Sequence, residues 1–274
     1  MTAQKSRNSG KVFLVGAGPG DPELLTIKAH RLLKKADLVL HDDLVSADVI
    51  SLAGPRAIVI SVGKRCGVKK ITQAEINALM VDAAKEGKQV VRLKSGDPAI
   101  FGRLQEELDA LHAAKIPFEI VPGVTTANAA SASLGISLTD RHKSSRVIFV
   151  SGHQAGTKGP ANEPDWNSLA QENATIVVYM PGSALRHLSR KLVAAGLAPE
   201  TSSVVVARVS TSEQKQFWTT VQGLGDLDVS ATPSIVLIGR SLDAAAARAA
   251  IENLSGDEIF QAVSRPQYER RIAS

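Results

Sequence analysis

The strongest constraint on this chain is a rhythm. Short β-branched runs at 12–15, 38–40, 58–62, 90–93 and 118–121 alternate with longer amphipathic stretches through the first half. A strand that returns parallel to its neighbour needs a long crossover, and a helix is the usual one. The alternation therefore predicts an α/β sheet with a large parallel component. Helix starts are marked by side chains that satisfy the free N–H groups of a first turn. Asp21-Pro22-Glu23 predicts one helix through Leu24, Leu25, Ile27, Leu32 and Leu33, with Asp21 as cap and Pro22 in the first helical position. Thr72-Gln73-Ala74-Glu75 is a capping-box pattern for a helix through Met80 and Ala84 that Gly87 ends. The second half repeats the class with different spacing. Runs at 147–150, 176–179, 204–207, 219–221 and 235–238 predict strands, and 183–195 and 242–254 predict helices. Residues 138–145 are polar and aperiodic, and 154–164 contains the glycines and prolines of a loop. The expected organisation is a tail at 1–10, an N-terminal α/β domain at 11–142, a C-terminal α/β domain at 143–255 and a tail at 256–274.

Composition narrows the function classes. With 44% apolar and 22% charged residues the chain is neither fibrous nor disordered. Aromatic residues are only 4%, too few for a stacking platform on single-stranded nucleic acid. The formal charge is +5, but Lys5 and Arg7 near one end and Arg265, Arg270 and Arg271 against Glu269 near the other carry most of it. A nearly neutral core argues against a nucleic-acid partner and leaves room for local cations facing a small acidic substrate. The apolar run at 12–15 stops at Gly16, too short for a signal sequence or a membrane span. The single cysteine, Cys66, excludes an internal disulfide and a multi-thiolate metal site, and the six histidines show no HExxH spacing. The expectation is a cytoplasmic protein without a metal.

Three glycine turns follow predicted strands. Gly16-Ala17-Gly18-Pro19-Gly20 lacks the dinucleotide fingerprint, because its third glycine comes one residue early. Ser95-Gly96-Asp97-Pro98 repeats the strand, turn and Asp-Pro start, and taken alone Asp97 reads as a helix cap. Pro122-Gly123-Val124-Thr125-Thr126 adds small side chains that let a ligand approach the main chain, although Ser and Thr at such positions also serve as caps. Each turn alone is also a plain tight connection. Several in one domain favour a ligand site, since backbone N–H groups and helix starts face outward at the carboxyl ends of strands.

Taken in order, GAGPGDPELLT, HDDLVS, VGKRCG with QAEIN, LKSGDPAIFGR, PGVTTA, LTDR, SGH, DW, YMPG and TPSIVLIG resemble the tetrapyrrole methylases over residues 12–239. Within that family the pattern is most similar to the branch that methylates uroporphyrinogen III. The resemblance implies two α/β domains with the active site in the cleft between them, a homodimer, and S-adenosyl-L-methionine as cofactor. It implies C-methylation of uroporphyrinogen III to precorrin-2 by way of precorrin-1, feeding siroheme or cobalamin, in a stand-alone form without the dehydrogenase and ferrochelatase module of fused siroheme synthases.

Carried onto this chain, the family's cofactor contacts fall on Pro19, Ser95, Gly96, Asp97, Ile100, Thr125, Thr126, Met180 and Val209. The implied base is Asp42 and the implied acid Lys64. Arg141 matches a substrate-binding arginine, and Arg65 and Arg103 are further cations for the eight carboxylates of a uroporphyrinogen. Taken alone, Asp42 reads as a strand-end acid beside Asp43 and the cations as a solvated face, while Met180 reads equally as core packing or as a cofactor contact. The chain departs from the family pattern at Ser95, Ala99, Leu104, Gln105, Lys69, Asp140 and Val209-Ser210. Main-chain contacts tolerate such changes better than side-chain contacts do. Two other functions therefore stand beside the first: methylation of a different precorrin or of a macromolecule, and binding of S-adenosylmethionine or tetrapyrrole without turnover.

Overall fold

A computed structural model describes residues 10–63, 71–152, 164–182, 184–229 and 233–252, with backbone only for 251 and 252. The chain packs as two units. One runs to Ala130 and takes in Arg208–Lys215, and the other comprises Ser131–Ala207 and the residues from Gln216 onward. The expected boundary at 142/143 is drawn along the chain. Packing assigns Ser131 and the residues after it to the second unit and returns eight residues, Arg208–Lys215, to the first.

The first unit is built from β1 (Lys11–Gly16), α1 (Ile27–Lys35), β2 (Leu38–His41), α2 (Ala47–Ile50), β3 (Ile58–Ser61), α3 (Gln73–Lys85), β4 (Gln89–Lys94), α4 (Leu104–Ala113) and β5 (Phe118–Val121). It ends within α5 (Thr126–Ser133). Its five strands lie in the order β3-β2-β4-β1-β5, and all four pairings are parallel. Alternation along the strands sends Val12, Leu14, Leu40 and Val90 to one face with Ile76, Met80 and Leu111. Val15, Val39, Val91 and Leu93 go to the other with Ala29, Leu33 and Val49. Both faces are buried, as a parallel sheet with helical crossovers requires.

The second unit contains β6 (Arg146–Ser151), α6 (Trp166–Leu169), β7 (Ala174–Tyr179), α7 (Leu185–Ala194), β8 (Ser202–Ala207), β9 (Lys215–Thr220, its first residue counted with the first unit), β10 (Ser234–Ile238) and α8 (Asp243–Glu252). Its sheet order is β6-β7-β10-β8-β9. Here β6 and β7 are parallel, while β10 runs antiparallel to both β7 and β8.

Local signals explain most boundaries. Thr72 Oγ1 accepts the Glu75 N–H at 3.2 Å while Glu75 Oε2 accepts the Thr72 N–H at 2.7 Å, so the capping box at the start of α3 is complete. The single helix expected from Asp21 is in fact two. Asp21 caps one 3₁₀ turn, Pro22–Leu24, by accepting the Glu23 N–H at 2.8 Å. Leu25 is extended, and Thr26 then caps α1 by accepting the Ala29 N–H at 3.1 Å. A second capping residue inside the same apolar stretch divides it. The polar segment 138–145 folds on itself. Asp140 and Ser144 exchange backbone hydrogen bonds of 2.8 and 3.1 Å, and the Asp140 carboxylate accepts the N–H groups of His142 and Lys143. Nearly all of the expected loop at 154–164, and Ser183 at the start of an expected helix, lie outside the described residues. Among the described residues, no helix is long and apolar enough to cross a membrane.

Candidate active site

Because its strands are all parallel, the first unit presents five carboxyl ends on one edge. The three glycine turns follow β1, β4 and β5, which are adjacent in the order β4-β1-β5. Segments far apart in sequence thus become neighbours. The Ala17 N–H donates to the Lys94 carbonyl at 2.7 Å, the Gly96 N–H to Gly18 O at 2.8 Å, and the Gly18 N–H to Gly96 O at 3.2 Å. Asp97 ties in the third turn, since its Oδ2 accepts the Gly123 N–H at 3.0 Å. A Cβ on Gly16 would stand 2.6 Å from Gly123 Cα, and one on Gly123 would stand 2.3 Å from Gly96 O. These two glycines are explained by backbone packed on backbone. Gly96 differs: its φ is +67°, and a Cβ there would face Thr126 Oγ1 at 3.8 Å and Thr125 Cα at 3.9 Å.

Asp97 does not cap a helix, contrary to the expectation for an Asp-Pro start. Its Oδ1 accepts the Ala99 N–H at 2.8 Å, the Ile100 N–H donates to Asp97 O at 3.2 Å, and α4 begins only at Leu104. The carboxylate is instead shared between its own turn and Gly123. Thr126 is the first residue of α5, and the N–H groups of Asn128 and Ala129 donate to Thr125 O at 3.0 and 3.3 Å. Half-buried Pro19 lies beside Gly20, whose missing Cβ faces the carbonyls of Val209 and Ser210 at 3.5 and 3.4 Å. Arg208–Lys215 thereby joins this edge, with Val209 buried.

Asp42 follows β2, the strand beside β4, and so stands on the same edge. Its N–H donates to Leu93 O at 3.3 Å, and its Oδ1 accepts Arg92 Nη2 at 2.5 Å. Behind it lies a charged cluster that sequence reasoning missed. Arg92 Nε donates to Glu107 Oε1 at 2.9 Å, and Lys94 Nζ donates to both Glu107 oxygens at 3.0 and 2.9 Å. Glu107 is 0% exposed, and Arg92 and Lys94 are each 2% exposed. Burial and the neighbouring Arg92 cation push the Lys94 amine below its usual range, against the pull of Glu107 and Asp42. Two carboxylates balance two cations, which is how such burial is tolerated. A signal was present: Arg92 and Lys94 alternate with Val91 and Leu93 at the end of a mostly apolar strand, so both point to one face and call for an acid there.

Arg103 occupies the N-cap position of α4 with φ +53° and forms a fork with Glu106 of its own helix, at 2.7 Å from both Nε and Nη2. Arg141 is exposed in the turn closed by Asp140 and Ser144. Met180, just past β7 in the second unit, is 46% exposed with φ +51°, so core packing does not account for it. Lys64 and Arg65, with Cys66 and Lys69, lie outside the described residues. Among the described residues, the non-glycine positions with positive φ are Phe101, Arg103, Lys115, Met180, Arg208 and Ser210. Lys115 simply ends α4, whereas the others fall in or beside candidate segments, the usual place for backbone strain that the surrounding structure holds. A cavity of about 270 Å³ in the second unit, lined by Glu172, Glu200, Arg240 and Asp243 among others, contains none of the candidate residues.

Main-chain recognition at the carboxyl edge of a parallel sheet is how many α/β folds hold small ligands, and the three turns stand together on such an edge. The chain belongs to the family described as Tetrapyrrole (Corrin/Porphyrin) Methylases, which matches residues 11–225. It is 41% identical over 237 residues to siroheme synthase 2 of Aeromonas hydrophila, a match covering 86% of this chain and 50% of that protein. The chain thus spans about half the length of the curated relatives it matches. Among solved structures, it is similar to the uroporphyrin-III C-methyltransferase of Thermus thermophilus in complex with S-adenosylhomocysteine, at 36% identity and a TM-score of 0.73 over 86% of this chain and 100% of that one. A cobalt precorrin-4 methyltransferase of cobalamin biosynthesis matches at 32% identity and a TM-score of 0.75, covering 89% of this chain and 99% of that one.

Proposed function

We propose that this chain is an S-adenosylmethionine-dependent C-methyltransferase that converts uroporphyrinogen III to precorrin-2 by way of precorrin-1, working as a cytoplasmic homodimer. The observation that carries the reading is the convergence of three glycine turns on one sheet edge, in a chain similar along the whole of a methyltransferase crystallised with S-adenosylhomocysteine.

The edge fits such a cofactor. Gly96 leaves main chain open towards Thr125 and Thr126, with the Thr126 hydroxyl 3.8 Å from where a Cβ would stand. Pro19, Ser95, Gly96, Asp97, Ile100, Thr125, Thr126 and Val209, all of the first unit, would hold it. When bound, S-adenosylmethionine supplies a methyl group on a positively charged sulfur. The protein's own contribution is chiefly to orient an acceptor carbon in line with that group, because in-line placement supplies most of the rate in such a displacement. The acceptor must release a proton once its carbon has gained the methyl group, and Asp42, at the end of β2, takes it, with Lys64 as the acid. Arg141, Arg65 and Arg103 are the cations proposed for the acceptor's carboxylates, Arg103 by exchanging its Glu106 partner for one of them.

Incubation with labelled S-adenosylmethionine and uroporphyrinogen III should give labelled precorrin-2. A second reading, methylation of a different precorrin, is favoured by the likeness to the cobalt precorrin-4 enzyme, and label entering only another acceptor would establish it. Cofactor binding with no labelled product on any acceptor would overturn both.

A further inference from the structure

Arg92 lies in β4, the middle strand of its sheet, and all but disappears from solvent. Pairing alone does not explain its geometry. Lys94 already engages both oxygens of Glu107, so the buried acid has a cation without Arg92. Arg92 places only Nε on Glu107 and sends Nη2 outward to Asp42, a side chain 34% exposed at the sheet edge. Its Nη1 donates to the carbonyls of Leu40 and Leu93 at 3.4 and 3.3 Å, fixing the plane of the fork against two strands. The guanidinium is therefore a rigid bridge between a fully buried carboxylate on α4 and a strand-end carboxylate on the site.

We propose that Arg92 is a positioning residue for methyl transfer, aiming the Asp42 carboxylate along the edge, and that Glu107, seated on Lys94, holds Arg92 in turn. The inference rests on the reading of Asp42 as proton acceptor. Two features favour it over simple packing. First, β4 is also the strand that runs into Ser95-Gly96-Asp97, so one rigid element sets both the base and the ligand turn. Second, the bridge uses separate nitrogens for two carboxylates on different elements. A lysine, whose donors share one nitrogen at the end of a flexible stem, keeps the charge but cannot make both contacts at once.

The test is a double-mutant cycle of Arg92→Lys and Asp42→Asn. Folding is checked by circular dichroism, and ligand binding by calorimetry with S-adenosylhomocysteine. Arg92→Lys keeps a cation beside Glu107. It should fold, bind S-adenosylhomocysteine normally and leave the cofactor KM unchanged, while kcat falls by about tenfold to a hundredfold, the scale of a misplaced reacting group. In the Asp42→Asn background the same change should have no further effect on kcat, because the group it aims has lost its function. A purely structural arginine would instead lower kcat by the same factor in both backgrounds, and that result overturns the proposal, as does normal kcat in Arg92→Lys when Asp42→Asn is slow. Normal turnover in Asp42→Asn overturns the reading of Asp42 itself. The same cycle with Glu107→Gln, which preserves shape in the buried cluster, should show a smaller fall in kcat that also vanishes in the Asp42→Asn background.

Discussion

At the residue scale, Gly96 is where backbone and ligand make the same demand. Its φ of +67° is unfavourable for any residue with a Cβ, and the space beside it is bounded by Thr125 and Thr126 rather than by tightly packed core. Gly96→Val should keep the fold, at a cost of roughly 1–2 kcal/mol for the left-handed conformation, and lose S-adenosylhomocysteine binding by calorimetry. Normal binding would make the turn a plain connection. Arg141→Ala should raise the KM for the tetrapyrrole and not for the cofactor, since a charge-assisted hydrogen bond is worth about 1.5–3 kcal/mol. An equal effect on both constants would remove the assignment. Single residues differ in how visible they are from the chain alone. Asp42 stands out because it comes just past the strand Leu38–His41, whereas its dependence on Arg92, fifty positions away, exists only because β2 and β4 pair.

At the scale of elements, capping governs what is legible. Thr72 and Glu75 satisfy each other within four residues, so the start of α3 can be read directly. Asp97 could not be read this way, because its carboxylate is drawn to Gly123, on a turn that only the β4-β1-β5 order brings near. Glu119 on β5 joins elements electrostatically. It accepts from Lys11 of β1 at 2.8 Å and pairs with Lys28 of α1, and these two partners hold its carboxyl at about 2, down from 4.5. A carboxyl more acidic in the folded state adds stability above the unfolded value, and that stability drains away as the pH falls from about 4.5 towards about 2. In urea titrations, a Lys11→Ala/Lys28→Ala variant should therefore be less stable than the parent near neutral pH and should converge with it in strong acid. The gap should narrow in high salt, because the carboxylate is partly exposed. A gap independent of pH would assign the loss to the lysine stems packed on the sheet instead.

At the scale of the whole molecule, ligand choice is the sharpest test. S-adenosylhomocysteine at a hundredfold excess over its Kd should stabilise the protein by about 2.7 kcal/mol, seen as a raised melting temperature. NAD should leave the melting temperature unchanged, because the turn after β1 lacks the dinucleotide spacing. A shift with NAD and none with the S-adenosyl ligand would contradict the proposed cofactor.

The kind and rough limits of the elements were in the amino-acid sequence: β-branched runs for the strands, a capping box for the start of α3, and glycine turns at the strand ends. Those signals act over a few residues, so a window of the chain contains them. Tertiary structure alone decided the strand order that makes the three turns neighbours, the antiparallel place of β10, the return of Arg208–Lys215 to the first unit and the Asp42–Arg92–Glu107–Lys94 cluster. An apolar strand pattern specifies that a face must be buried, not which strand lies beside it. That choice is made by the summed packing of both sheet faces, and the charged cluster follows from it.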